Sequence, residues 1–487
     1  MCRLALPLLL ALAAPPAAAQ LVTPKTVPVH QADQFAIFPS DRVGMAGVGV
    51  AVDDTLADPF ATNPARATRL RRAALFATPY FHGVSDGRGG GRTLPIGAGG
   101  TFGQWGATGV VALQQLERAR AAVWNLPTSE RTATNRYVAG ALARRFGSGL
   151  SVGAGALLAG LGAMDGVDLL YAGSDRIRQD GRVTDVRVGA TKEWAGGRVL
   201  DVVALHNRTA MTHDVHFTTW RWDSVARRGV STERDEHNLD RTNVWGAHSQ
   251  YVQPVGDRGW RLGALATVNR LSHPKIPNYV VMNIPRDPGT TYGVNLGVAA
   301  ARVVGQAAVG VDLTYEPMSS ETWADAARDT AKVGGGIIPA GGRTVENRFR
   351  FHNMRLRLGA GRDFTLDREQ QQALGFQVGL GAYAIDYRLR QWNRVQGTER
   401  TQKESWVEWT PTLALRFRAR ELDVRYAYRA TCGNGSSCLP SITRTDDVSV
   451  VQPGVGGGGI IAAPSAPLFF DGGRASAHTF TIVVPLR

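Results

Sequence analysis

Histidines that stand beside acidic residues are considered first, because such groups can bind a metal ion or transfer protons. His213, Asp214 and His216 fall within four positions, and His237 follows in the same polar stretch, 209–239. Imidazole and carboxylate groups are accepted ligands of divalent transition metals. The surrounding sequence lacks the apolar periodicity of a helix that would bring these side chains to one face. We therefore interpret them as surface residues of a polar loop, and we predict no metal site.

A glycine-rich run near the N-terminus, Gly44-x-x-Gly47-x-Gly49, is the second candidate for chemistry. Glycines at such spacing can cradle a phosphate group. The run lacks the lysine of a nucleotide-binding P-loop, and no strand-helix-strand pattern follows it. No nucleotide and no other cofactor is therefore predicted.

Two cysteines lie six positions apart, at Cys432 and Cys438, in the sequence Cys-Gly-Asn-Gly-Ser-Ser-Cys. A local disulfide is the simplest interpretation for an oxidising compartment. A metal site would need more soft ligands than this segment offers.

The first residues predict export. Arg3 precedes an apolar run from Leu4 to Ala14, and the small residues of 17–19 follow, which is the pattern of a secretory signal peptide with cleavage near Gln20. No later stretch has the roughly twenty apolar residues that a membrane helix needs. The formal charge of +14 would favour nucleic acid as a partner of a cytoplasmic protein. An exported chain meets lipid phosphates and acidic glycans instead, so nucleic acid is excluded.

Alternation of apolar and polar residues is the main structural pattern of the rest of the chain. It recurs in sixteen segments between residues 73 and 487, with fourteen strands as the other possible count, and each is about as long as a tilted strand that crosses a bilayer. Links such as Phe146-Gly147-Ser148-Gly149 are tight, and they alternate with long polar links such as 209–239 and 391–403. Short periplasmic turns that alternate with long outer loops are typical of outer-membrane barrels. Pro411 interrupts one strand and predicts a kink or bulge there.

The sequence therefore predicts an all-β protein, a transmembrane antiparallel β-barrel of about 14–16 strands with an N-terminal periplasmic extension or hatch. We expect a signal peptide over 1–19, a hatch-like segment over 20–72 and the barrel over 73–487. The expected location is the bacterial outer membrane, with its lipids and lipopolysaccharide as partners.

The segment before the first strand contains a set of residues in a characteristic order: Arg42, Gly44, Met45, Gly47, Ala51, Asp53, Asp54, Asn63, Pro64 and Ala65. In this order the segment resembles the N-terminal region of the FadL/TodX family of outer-membrane transporters and its PorV-like relatives. Members of that family show an Arg, a Gly-Met-Gly-Gly-Ala-like run, an Ala-x-x-Asp-Asp element and Asn-Pro-Ala. Ala46 replaces the second of the consecutive glycines, and Arg66 replaces the glycine that usually follows the last element.

What the resemblance implies is passive uptake of a hydrophobic or amphipathic small molecule, with the N-terminal segment acting as a movable hatch. The alternative is a PorV-like protein whose loops bind or shuttle secreted protein partners. An enzyme is not predicted, because neither an omptin-like acidic pair nor a phospholipase-like Ser-His-Asn set is recognisable.

Two further groups of residues are candidates for contact with a solute. Apolar residues in two glycine-rich outer loops would form a landing surface for a greasy ligand, or would pack on each other: Ile337, Ile338, Ile460, Ile461, Leu468, Phe469 and Phe470. Five arginines are predicted to face the lumen, where they would form an ion network with Glu408, Asp423 and Glu346 or favour anions: Arg348, Arg350, Arg416, Arg418 and Arg425.

Overall fold

The structure is a computed structural model. It describes residues 34–35, 37–70, 73–84, 90–118, 131–164, 175–223, 225, 227–273, 288–367, 372–433 and 474–486. The predicted signal peptide, 1–19, lies outside the described residues.

Antiparallel strands account for most of the described chain. They are β1 Ala74–Ala77, β2 Tyr80–Val84, β3 Gly90–Phe102, β4 Trp105–Arg118, β5 Arg131–Phe146, β6 Leu150–Leu161, β7 Arg176–Glu193, β8 Val199–Asp223, β9 Arg228–Val255, β10 Trp260–His273, β11 Gly289–Val304, β12 Ala307–Asp325, β13 Thr330–Ala331, β14 Ile337–Ile338, β15 Arg343–Asp367, β16 Gln372–Asn393, β17 Thr398–Ala419, β18 Leu422–Cys432 and β19 Arg474–Pro485. Apart from β1, β2 and the small β13–β14 hairpin, each strand pairs with the strands before and after it in the chain.

The sheet closes into a barrel of sixteen strands. β1 and β2 both pair with β19 on one side and with β3 on the other, so they are two halves of one barrel strand. The break falls at Thr78 and Pro79, where the proline has no N–H to donate to the ladder. A closed barrel has no free edge, which is the condition for crossing a bilayer with strands.

The outer wall carries an apolar belt. In β16 the side chains of Phe376, Val378 and Leu380 are exposed, whereas the alternate residues Gln377 and Gly379 contact the N-terminal segment inside the barrel. Outward apolar positions continue for about ten residues along the strand. At a strand tilt of about 40°, this length corresponds to roughly 25 Å along the barrel axis. That height matches the apolar band of an outer-membrane barrel.

No helix within the described residues is both long enough and apolar enough to cross a membrane.

Two predicted loops are wrong, because the strands run on beyond the belt. The stretch 209–239 belongs to the hairpin of β8 and β9, which turns between Asp223 and Arg228. The stretch 391–403 likewise belongs to β16 and β17 apart from residues 394–397. Above the membrane both faces of a strand meet water, so the apolar alternation that marks strands in the sequence disappears there. β17 has no bulge at Pro411, since its pairing with β16 continues without a register shift, but its ladder to β18 is interrupted at Thr410 and Pro411.

The N-terminal segment lies inside the barrel. It contains a 3-10 turn at Val43–Met45, a short α-helix, α1, at Asp58–Ala61, and a 3-10 helix at Pro64–Arg69; a fourth short element, Gly147–Gly149, forms a turn between β5 and β6. The segment contacts strands from β3 round to β18, and most of its side chains are buried. We call residues 37–70 the hatch segment.

Candidate functional site

Glycines on the inner wall allow the hatch segment to lie against the strands. A Cβ atom built on Gly359 would lie 2.5 Å from the carbonyl oxygen of Met45, and one built on Gly153 would lie 2.7 Å from the backbone nitrogen of Ala65. A Cβ on Gly379 would likewise collide with the backbone of Ala46. The hatch backbone therefore occupies the space that side chains would otherwise fill.

The Gly-Met element of the predicted hatch motif forms the 3-10 turn. Ala46 and Gly47 follow it with φ angles of 53° and 71°. Ala46 thus adopts the left-handed conformation that favours glycine, at a cost of about 1 kcal/mol. Thr412 of β17 compensates, because its hydroxyl accepts from the Ala46 N–H at 3.0 Å and donates to the Gly44 carbonyl at 2.9 Å.

A second wall contact holds the next turn of the hatch segment. The Asp312 carboxylate of β12 accepts from the N–H groups of Gly49 at 2.8 Å and Val50 at 3.3 Å. Arg357 of β15 donates to the Gly47 carbonyl at 2.8 Å and lies 3.6 Å from Asp312. Asp312 and Arg357 therefore fix backbone groups that no regular element would satisfy.

Asp53 and Asp54 have different roles. The Asp54 carboxylate accepts from the Ser40 hydroxyl at 2.5 Å and from the Asp41 N–H at 3.0 Å, so it closes a loop within the hatch segment. The Asp53 carboxylate lies 3.2 Å from Arg69 and 3.3 Å from Arg261 of β10. Asp53 is therefore an ionic contact between the hatch segment and the wall.

The Asn-Pro-Ala element and the residue after it form the strongest attachment. The Asn63 side chain accepts from the Ala65 N–H at 2.9 Å and donates to Asp201 of β8 at 2.7 Å. Arg66 donates through Nη2 to Asp201 at 2.6 Å and through Nη1 to Asp58 of α1. Asn63 and Asp201 are fully buried and Arg66 is 2% exposed. We call Asn63, Arg66, Asp58 and Asp201 the buried lock.

Burial and charge displace the pKa values of the hatch acids and bases in different directions. Burial would lower the pKa of Arg66, but the carboxylates of Asp58 and Asp201 outweigh it and raise that pKa. Burial raises the pKa of the Asp58 carboxyl, with Arg66 opposing it, and it also raises the pKa of Asp54. Burial would raise the pKa of Asp53 too, but Arg66 and Arg69 lower it on balance. The hatch segment therefore holds carboxyls with opposite responses to pH.

A cavity of about 260 Å³ lies between the hatch segment and the wall strands. Its apolar lining includes Phe38, Val48, Val203, Leu205 and Leu265. Its charged lining includes Arg42, Asp58, Arg187, Glu316, Arg357 and Arg429. The cavity therefore offers an apolar surface with polar groups beside it, as small-molecule sites usually do.

The five arginines predicted to face the lumen divide between the two sides of the wall. Arg416 lies 2.5 Å from Asp423 and 3.5 Å from Asp363, on the inner face. Arg418 lies 3.5 Å from Asp363, and Arg425 lies 2.7 Å from Asp423 and contacts Asp41 of the hatch segment. These three form an inner ion network.

Arg348 and Arg350 are on the outer face, so their prediction is corrected. The alternate residues of β15, Phe349 and Phe351, point inward and pack with Tyr387. The prediction assumed that the lumen is polar along its whole height. At the level of Arg348 and Arg350 the inner face is aromatic, and the outer face lies beyond the apolar belt.

Ile337, Ile338 and Cys432 do not line the cavity. Ile337 and Ile338 form β14, with Ile337 exposed and Ile338 buried. Cys432 is disulfide-bonded. The residues Ile460, Ile461, Leu468, Phe469, Phe470 and Cys438 lie outside the described residues.

The histidines of the predicted polar loop lie on the β8–β9 hairpin. His216 pairs with Asp235 at 2.8 Å and His237 pairs with Asp214 at 2.5 Å, in each case directly across the two strands. His216 and His237 therefore belong to two separate side-chain pairs, whereas His213 of the same stretch is buried and not a surface residue as predicted.

Sequence reasoning missed Arg66, Asp201 and Asp312. Arg66 was noted only as a departure from the usual glycine. A charged residue at a position where a glycine is usual is a signal that could have indicated a buried partner, but nothing in the sequence identifies that partner as Asp201.

Comparisons with known proteins find similarity in structure alone. No protein-family model and no curated protein sequence matches this chain. Among solved structures, a Pseudomonas aeruginosa FadL homologue is 9% identical with a TM-score of 0.44, over 92% of this chain and 98% of that one. The Ralstonia pickettii toluene transporter TbuX is 10% identical with a TM-score of 0.38, over 93% and 100%. The Pseudomonas putida toluene transporter TodX is 11% identical with a TM-score of 0.36, over 76% and 96%. FadL/TodX-type barrels are thus among the structures this chain is similar to, and at these identities the likeness concerns the fold.

Proposed function

We propose that this barrel carries a small hydrophobic or amphipathic molecule passively across the outer membrane, and that the hatch segment controls release to the periplasm. The observation that carries the proposal is the position of the hatch segment. It lies in the lumen near the strand ends joined by short turns, and a cavity lies between part of it and the wall.

The attachment of the hatch segment favours a movable element. It is held by contacts of wall side chains, among them Thr412, Asp312 and Asp201, and within the described residues its backbone does not pair with a strand. Such contacts can be broken together without unfolding the barrel, whose own ladder stays complete.

The size and lining of the cavity suit a compact solute. An apolar cavity of about 150 Å³ can hold benzene, so one of about 260 Å³ accommodates a substituted single ring. Arg42 and Arg187 beside the apolar surface favour a solute that also carries a polar or anionic group. The toluene transport in the names of two similar structures is consistent with a solute of this size.

A reversible tether tests whether the hatch segment must move. A Cβ atom on Gly263 of β10 would lie 3.0 Å from Cγ1 of Val50, so cysteines at both positions come within reach of a disulfide. The variant Val50→Cys/Gly263→Cys is reconstituted in liposomes, and uptake of labelled toluene, benzoate and a long-chain fatty acid is measured before and after reduction. The single variant Val50→Cys and the unsubstituted protein receive the same reductant, which controls for the disulfide at Cys432.

We expect little uptake in the oxidised double variant and recovery of uptake on reduction, with both controls unaffected. Equal uptake in oxidised and reduced double variant would contradict a hatch that moves. Absence of uptake for every probe in the unsubstituted protein would contradict transport of this solute class, and the PorV-like alternative would then be tested by binding of secreted proteins.

A further inference from the structure

A group of cations lies on the outer wall of β15, β16 and β17, away from the cavity. The group consists of Arg348, Arg350, Arg388, Arg390 and Lys403, all exposed, and we call it the outer basic cluster. Pairing places Arg348 opposite Arg390 and Arg350 opposite Arg388, with Lys403 opposite Arg388 on the next strand. The inward direction of the alternate residues Phe349, Tyr387 and Leu389 fixes the cluster on the outside.

The cluster lies just above the apolar belt. On β16 the outward positions are apolar from Leu374 to Ala384, and Arg388 and Arg390 come next on the same face after Asp386. On β17 the outward apolar residues run from Phe417 to Val407 before Lys403. This end of the barrel is opposite the short turns and the hatch segment, so it is the external end. The cluster is therefore level with the headgroups of the outer leaflet.

Like charges directly across a strand pair destabilise a sheet. Only part of this repulsion is relieved by nearby acids. Glu399 pairs with Arg390 at 2.5 Å, Glu321 lies 3.0 Å from Arg343, and Glu346 pairs with Arg394 at 2.6 Å. Among the described residues, no ion pair joins Arg350, Arg388 or Lys403 to an acid. The half-buried Asp386 borders them with a single charge.

An aromatic ring completes the surface. Trp392 lies on the outer face of β16, with the guanidinium carbons of Arg390 and Arg348 at 4.6 and 5.0 Å from its centre. A tryptophan at this level is typical of the membrane interface, and its ring holds two guanidinium groups in place. Guanidinium groups bind phosphate with paired hydrogen bonds.

We propose that the outer basic cluster is a binding site for the phosphate groups of lipopolysaccharide in the outer leaflet. The acyl chains of the lipid lie along the apolar belt beneath the cluster, and the sugar phosphates contact Arg350, Arg388 and Lys403. The site is independent of solute transport, because it faces the lipid and not the lumen.

The test compares two triple variants of the full chain, each checked for a folded barrel by heat-dependent migration in a denaturing gel. Arg350→Gln/Arg388→Gln/Lys403→Gln removes the cations without acid partners. Arg198→Gln/Arg258→Gln/Arg302→Gln removes three exposed arginines at the periplasmic end, and it serves as the charge-matched control. Binding of purified lipopolysaccharide, of the same lipid after removal of its phosphates, and of inorganic phosphate is measured in detergent solution.

We expect the cluster variant to bind lipopolysaccharide at least tenfold more weakly than the unsubstituted protein, and the control variant to bind it normally. Dephosphorylated lipid should bind the unsubstituted protein as weakly as intact lipid binds the cluster variant. Inorganic phosphate at the same concentration should not displace the lipid. Equal lipid binding in the two triple variants, no effect of dephosphorylation, or displacement by inorganic phosphate at equal concentration would each overturn the proposal.

Discussion

Arg66 of the hatch segment and Asp201 of β8 form a buried ion pair, with Nη2 and Nε of the guanidinium at 2.6 and 3.0 Å from one carboxylate oxygen. The other oxygen of Asp201 accepts from Asn63 and Thr191. Both oxygens of a fully buried carboxylate therefore accept hydrogen bonds, and most of the donors lie in the hatch segment. Because the guanidinium belongs to the hatch segment, separating the hatch segment from the wall leaves the Asp201 carboxylate without its cation, whereas Arg66 keeps Asp58 as a partner.

Replacement of Asp201 by asparagine should release the hatch segment. Removing one member of a buried pair costs about 3 kcal/mol or more, which corresponds to roughly a 100-fold change in the ratio of closed to open hatch. We expect a large rise in single-channel conductance or liposome leak, with the barrel itself still folded. Glu399→Gln, which breaks the exposed pair with Arg390, is the control and should leave conductance unchanged. Equal conductance for Asp201→Asn and this control would refute the role of the buried lock.

Replacement of Gly379 by valine should displace the hatch segment from the opposite side of the lumen. A side chain at this position collides with the backbone at Met45 and Ala46, whereas a β-branched residue is otherwise well suited to a strand. The cost should be about 1–3 kcal/mol. Increased cleavage of the hatch segment by added protease is the measurement. Gly293→Val is the matched control, because Gly293 lies on the inner face of β11 with no atom within 4 Å of an added Cβ. Equal cleavage in the two valine variants would mean that the hatch does not depend on this close contact.

The predictable part of this fold is the part in contact with lipid. Within the belt, alternation such as Leu413, Leu415 and Phe417 reports directly which face meets the membrane, and that pattern gave the class and the number of strands. Above the belt the outer face meets water, and the inner face meets water or carries side chains that pack on one another. Alternation therefore no longer shows which face points outward at Arg348 and in the β8–β9 hairpin.

The candidate site was predictable only as a segment. The Gly-Met and Asn-Pro-Ala elements identified the N-terminal region as the part to examine, because their glycine and turn chemistry is local in sequence. Their partners Asp201, Asp312 and Thr412 are more than a hundred residues away. A single sequence holds no information on which inward carboxylate meets Arg66, since the rotation of the hatch segment about the barrel axis decides it.

Leak through the hatch should rise with pH, starting from about the ordinary Asp pKa of 3.8. Burial raises the pKa of Asp58 in the closed hatch, so the closed form holds the proton more tightly than a released one. The stability that Asp58 contributes to closure is therefore complete below its ordinary pKa and is lost as the pH rises through the raised value. Liposome leak measured from pH 4 upward is the test, and Asp58→Asn should flatten the profile.

The pKa of Asp53 is shifted in the opposite direction to that of Asp58, so Asp53 provides a control for the pH experiment. Arg66 and Arg69 lower its pKa against the effect of burial, so its contribution to closure is present above the ordinary value and is lost as the pH falls through the lowered one. Asp53→Asn should therefore keep the rise of leak above pH 4 and abolish only the response in stronger acid. An unchanged profile in Asp58→Asn would show that another group controls the dependence.

Filling the cavity should reduce uptake according to the size of the solute. Val203 is 2% exposed and lines the cavity from β8, so Val203→Phe places a ring within its volume of about 260 Å³. We expect uptake of toluene-sized probes to fall about tenfold, which corresponds to a loss of about 1.4 kcal/mol in binding. When Val203→Phe is added to the Asp201→Asn variant, leak of the smaller solute glycine should change little. Val202→Phe is the matched control, because Val202 is the neighbouring residue on the lipid-facing side and is 49% exposed. Since both variants add the same ring to the same strand, a loss of uptake confined to Val203→Phe assigns the cavity to the transport path, and an equal loss in both assigns the effect to the strand.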